Sequence, residues 1–197
     1  MLALSDATWK QMLAMLATSR PGVERVAYLD GVRTGDGTSL CMGVVTTVSV
    51  PYAVQRAGHF TVSAEEMSRA GAHLRRHGLV RLAQVHTHPG HDTHHSPTDD
   101  ESAYSRKAGA VSIVLPWHAV GDPSPTDGAV HVHDGQGWRR LSRADAEAFI
   151  RVVPATVDTR PTGVDGPAGQ QHRTGCSRGW GRWGPWATIW AHVTRRR

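Results

Sequence analysis

The stretch Val85-His-Thr-His-Pro-Gly-His-Asp-Thr-His-His-Ser-Pro-Thr-Asp-Asp100 decides how the rest of this 197-residue chain is read. The residues leading into it, 79–85, alternate like a strand entering a core. On such a strand His86 and His88 face the same side, with Cα atoms roughly 7 Å apart. Two imidazoles placed that way meet one metal ion from one side, at zinc–nitrogen distances of about 2.0–2.1 Å. Pro89 has no N–H to give and ends the ladder. Ser96-Pro-Thr-Asp99 reads as a helix start with Pro in its first turn. If that helix folds back onto the strand end, Asp99 supplies a third ligand. The fourth position then stays open for water, as in a catalytic rather than a structural zinc site.

A plainer reading competes. The chain holds 13 His, so His-x-His pairs arise readily, and His131-Val-His133 is a second one without Ser or Asp at the same downstream spacing. Ser96 and Asp99 also make sense as a helix cap and its N3 carboxylate. His91, His94 and His95 read as solvated loop residues or an adventitious metal-binding cluster. The order strand, His pair, loop and capped helix favours the metal site.

The whole pattern, His-x-His, seven residues, Ser, two residues, Asp, resembles the JAMM (MPN-plus, JAB) metalloprotease motif at every fixed position, and Pro89 matches as well. The resemblance implies that His86, His88 and Asp99 bind Zn2+, that Ser96 helps hold a developing oxyanion, and that an upstream Glu acts as general base. Glu24 stands where that base is expected, after a first helix and just ahead of a segment, residues 26–31, that ends in Gly. Two departures are Ala27 and Tyr28, where the family often has Gly and small residues. Thr87 is a third, where Ser is more usual. The alternative for Glu24 is a surface carboxylate at a strand edge; Glu65 and Glu66 are rivals better explained by the start of their own helix. The fold implied is α/β, a mixed β-sheet sandwiched by helices, of the JAB1/MPN, cytidine-deaminase-like kind. The activity implied is cleavage after the C-terminal Gly of a ubiquitin-like protein, in deconjugation or precursor processing. The partners implied are that ubiquitin-like protein or its conjugates, together with the E1- and E2-like enzymes of bacterial antiviral conjugation systems. An extended substrate tail is expected to add to an exposed strand edge near residues 40–50. A sulfur-carrier-processing hydrolase and a non-catalytic MPN scaffold are the alternatives.

Composition limits the other classes. Residues 1–153 carry 15 Lys+Arg against 15 Asp+Glu, and residues 154–197 carry 7 against 2, so the whole net charge of +5 lies in the tail. The high overall pI therefore describes no nucleic-acid-binding face on the folded part. No stretch of ~18 apolar residues occurs, so no membrane span is expected. The first residues lack the basic-then-apolar order of a secretory signal. The two cysteines, Cys41 and Cys176, do not make a disulfide framework, and a cytoplasmic setting is expected.

Periodicity and caps place helices at residues 6–18, 64–77, 99–107 and 143–152. Strands are expected at 25–29, 40–50, 79–85 and 111–115, with a hairpin of 129–133 and 138–141 around Asp134-Gly135. Asp30-Gly31 reads as a turn, and Met67, Ala70 and Leu74 as the buried stripe of the second helix. The metalloprotease-like domain is expected to span 1–153. The Gly-, Arg- and Trp-containing segment 154–197 reads as a disordered tail; it holds Trp180, Trp183, Trp186 and Trp190.

Overall fold

Alternation along Val26, Ala27, Tyr28 and Leu29 divides the molecule: Ala27 and Leu29 enter one hydrophobic cluster, Val26 and Tyr28 another. The computed structural model describes residues 1–18, 22–34, 42–56 and 58–155. Among these, β1 (Leu2–Ser5), β2 (Val26–Thr34), β3 (Met42–Ser49), β6 (Val80–Thr87), β7 (Val111–Leu115), β8 (Ala129–His133), β9 (Trp138–Arg140) and β10 (Ile150–Val153) form one mixed sheet. Its order is β10-β1-β3-β2-β6-β7-β8-β9. A separate hairpin pairs β4 (Ala53–Arg56) with β5 (His59–Val62).

The larger cluster lies on the side covered by α1 (Asp6–Leu16) and α4 (Arg143–Phe149). Ser5 accepts the Thr8 N–H and caps α1, whose Trp9, Met12, Leu13 and Leu16 are buried against Leu29, Val85, Ile113 and Leu115. The opposite side carries α2 (Ala64–Arg76), α3 (Pro97–Ser102) and the β4–β5 hairpin. There Phe60, Met67 and Tyr104 pack on Val26 and Tyr28. This is the expected mixed sheet between helical layers.

Several boundaries differ from the sequence expectation. Asp30-Gly31 is no turn but lies within β2, at a register shift against β3 and β6. Asp30 is fully buried and stable there because Arg81 pairs with it at 3.0 Å and the Ser49 hydroxyl donates to it. Gly31 is needed because a Cβ would stand 2.0 Å from the Val44 carbonyl oxygen. The last helix stops at Phe149, and the β-branched run Ile-Arg-Val-Val pairs in parallel with β1 instead. The helix expected at 99–107 is only α3, because Tyr104 leaves it to pack edge-on against Tyr28, with ring centroids 6.2 Å apart. Met67, Ala70 and Leu74 share the inner face of α2 but are only half-buried, since α2 is an outer layer. β1 and β2 flank β3, but β1 pairs with it only at Gly43 and Val44, so the tail-docking edge expected there is covered at its start. Leu40 and Cys41 of that expected strand, with Cys176 and the four Trp of 156–197, lie outside the described residues.

Candidate metal centre

Antiparallel pairing of β2 with β6 sets Val26 opposite His86. The entry to β2 therefore lies beside the exit of β6. Thr87 ties the two together: its backbone N–H donates to the Arg25 carbonyl at 3.0 Å, and its hydroxyl accepts the Arg25 N–H at 3.0 Å. This holds Glu24 where the charges of His88 and Asp99 both act on it. Glu24 is 5% exposed, so the surface-carboxylate reading does not hold.

His86, His88 and Asp99 each offer a ligand atom, and these atoms lie within 4.8 Å of one another. His86 Nε2 is 3.4 Å from Asp99 Oδ1, and His88 Nε2 is 3.5 Å from Asp99 Oδ2. Asp99 arrives from α3, which Ser96 caps in a full capping box. Asp99 N–H donates to the Ser96 hydroxyl at 3.1 Å, while Ser96 N–H and hydroxyl both donate to Asp99 Oδ2 at 2.8 Å. The cap and the ligand readings are thus one arrangement: the cap orients the carboxylate. His88 has its other nitrogen, Nδ1, 2.8 Å from the Asp92 carbonyl oxygen. A bond donated there leaves the Nε2 lone pair facing Asp99.

The donor set fits a cation. Both nitrogens of the fully buried His86 lack a hydrogen-bond partner, a costly state for a buried polar ring. A metal ion taking the Nε2 lone pair removes half of that cost. Burial pushes the His86 imidazolium down, keeping the ring neutral as a ligand must be. Burial would raise Asp99, but His86, His88 and the Ser96 N–H hold it well below the usual carboxylate range. For His88, burial acts downward and is outweighed by Asp99, the Asp92 carbonyl and Glu24, which raise it. Burial lifts Glu24 to about 7, against the pull of His88 and with the help of Asp99. A carboxyl poised there suits proton transfer near neutral pH.

The remaining candidates sort by burial. Glu65 and Glu66 pair with Arg69 on α2. His91 is exposed beside Trp117, and His94 is exposed against Asp92 and Arg140. His95 is not a solvated loop residue: its side chain is 5% exposed, and its ring stacks on His131, centroids 4.1 Å apart. His131 and His133 are buried, and no third ligand joins them among the described residues. Sequence reasoning missed Thr87 as a strut, His95 as a buried neighbour of the site, and the turn Trp117–Ala119. In that turn all three φ values are positive, 52°, 56° and 60°. It is braced on the metal loop, with Trp117 N–H donating to the Gly90 carbonyl and His118 N–H to the His88 carbonyl.

The family model of prokaryotic homologues of the JAB domain matches residues 7–130, which include all five candidate site residues. The chain belongs to this family. A probable metalloprotease of Sinorhizobium fredii (strain NBRC 101917 / NGR234) is 40% identical over 99 residues, 50% of this chain and 54% of the relative. The chain thus spans about half the length of that curated relative. The solution structure of a Desulfitobacterium hafniense protein is similar in fold, with a TM-score of 0.58 at 20% identity over 78% of this chain and 93% of the other. As a JAB-family chain with a His-His-Asp group, this protein is marked for a metal ion. No helix among the described residues is long and apolar enough to cross a membrane.

Proposed function

We propose that this JAB-family chain is a zinc-dependent peptidase that cleaves the amide or isopeptide bond after the C-terminal Gly of a ubiquitin-like protein. The observation that carries the hydrolase reading is Glu24, buried, lifted to about 7 and within reach of the charges of His88 and Asp99, two members of the His-His-Asp group. A scaffold has no use for a costly buried carboxyl at a ligand trio. The substrate class rests on the family motif, and the E1- and E2-like partners follow from that class.

His86 Nε2, His88 Nε2 and an Asp99 oxygen would hold the zinc, which supplies Lewis-acid polarisation of the scissile carbonyl and acidifies water. Glu24 accepts a proton from the attacking water. That water's oxygen bonds to the amide carbon, the C–N bond breaks, and Glu24 returns the proton to the departing amine. The products are the Gly carboxylate and a free amine. Ser96, whose hydroxyl otherwise donates to Asp99, turns it toward the developing oxyanion; one such donor is worth about 10²–10³ in turnover.

Glu24→Gln tests this. With a ubiquitin-like protein fused through its C-terminal Gly to a reporter, the variant should keep wild-type zinc content and lose at least about 10²-fold in kcat. Full activity in Glu24→Gln would remove Glu24 from the mechanism.

A further inference from the structure

Behind the metal ligands lies a second group of buried rings that the chemistry above does not use. His86 has three aromatic neighbours: His88 at 5.1 Å between centroids, Phe60 at 5.6 Å and His95 at 5.8 Å. With Nε2 turned to Asp99, His86 keeps Nδ1–H, which is buried and unpartnered. A ligating imidazole ordinarily donates that N–H to an outer acceptor that fixes its tautomer and plane. Phe60 cannot accept. His88 is committed at both nitrogens, Nδ1 to the Asp92 carbonyl and Nε2 toward Asp99. His95 remains, and its chemistry is complementary. An ionised carboxylate only accepts, so the 2.9 Å contact between His95 Nδ1 and Asp100 Oδ1 puts the ring proton on Nδ1. Nε2 of His95 is then a bare acceptor, and it too is buried without a partner.

We propose that His95 is the positioning residue for the metal ligand His86: its Nε2 accepts the His86 Nδ1–H through one bridging water, with Asp100 orienting His95 from behind. The line Asp100–His95–His86 runs from a half-exposed carboxylate to the metal site. The ring of His95 is held in plane by the His131 stack at 4.1 Å and by the edge of Trp138 at 4.9 Å. Those contacts explain why so polar a ring is buried next to a metal site. The inference rests on the metal-site reading proposed above and extends it to the second layer.

The test is Zn2+ affinity of the full chain, measured by competition with a chromogenic chelator, beside the melting temperature of the metal-free protein. His95→Phe keeps the stack and removes the acceptor. His95→Gln restores an acceptor near the Nε2 position. The expected result is about 10–100-fold weaker Zn2+ binding in His95→Phe, substantial recovery in His95→Gln, and similar metal-free melting for all three proteins. Wild-type affinity in His95→Phe would overturn the proposal, as would an equal loss in His95→Gln, which would mark a packing role. Wild-type protein that takes up no Zn2+ would overturn the metal-site reading and this inference together, whereas tight wild-type binding unchanged in His95→Phe defeats the inference alone. Should His95→Phe fail to fold, Asp100→Asn reads the same line from its exposed end: a several-fold weaker site supports the proposal, and an unchanged one overturns it.

Discussion

His131 shows what burial does to a single residue here. Desolvation, reinforced by His95, His86, Arg140 and His94, pushes its imidazolium down to about 3, so the folded protein holds the ring neutral. An unfolded His takes up its proton near 6.5. Between those values the unfolded chain binds the extra proton, so stability rises with pH and is lost as pH falls from about 6.5 toward 3. His131→Phe keeps the ring stack and removes the titration. Denaturant unfolding across that window should therefore show a shallower loss in the variant, by up to about 1.4 kcal/mol per pH unit; identical slopes would contradict the assignment. At this scale the sequence was legible where chemistry and periodicity coincide. His86 and His88 share a strand face by the two-residue repeat, and Ser96 with Asp99 shares a first turn by capping grammar. His95 was not legible. Nothing local distinguishes it from exposed His94, because its burial comes from β8 and β9, which supply His131 and Trp138. Thr87, one residue from each His and so on the other strand face, bonds the Arg25 N–H through its hydroxyl.

Among the elements, the turn Trp117–Ala119 stands out because three consecutive non-glycine residues have positive φ, a conformation that costs free energy at each one. It persists because the metal loop braces it through Gly90 and His88. The turn leaves Trp117 57% exposed, beside His91 and next to the ligand strand. An exposed Trp held on a stiff turn is suited to gripping an incoming chain. Trp117→Ala should raise KM for the ubiquitin-like fusion about fivefold or more, with kcat and zinc content little changed. An unchanged KM would remove Trp117 from substrate binding. No propensity marks this turn, since its own bonds, Ala119 N–H to the Pro116 carbonyl and Val120 N–H to the Trp117 carbonyl, are supplemented by bonds to a distant loop. For the same reason β1 and β10 escaped notice. Each is four residues long, and they become strands by pairing with one another across most of the chain. Longer elements with a clear repeat, such as α1 and β6, were legible to within a residue or two.

At the scale of the molecule, β2 and β6 bring the first and middle thirds of the chain together, so that Glu24 meets His88 and Asp99 from more than sixty residues away. That meeting was legible only through the resemblance to a known motif, because no local pattern links a carboxylate to so distant a strand. The sheet gives one face to hydrophobic packing beneath α1 and α4 and turns buried polar rings of β6 and β8 toward the site. A metal ion bound there stabilises the fold by mass action, since the unfolded chain cannot assemble the same three ligands. The most direct test of the account is the metal content of purified protein, wild type and His88→Ala prepared in parallel without chelator. The account predicts close to one zinc per chain in the wild type and loss of that zinc in folded His88→Ala. Wild-type protein free of metal after such a preparation, or a variant that retains zinc in full, would contradict it.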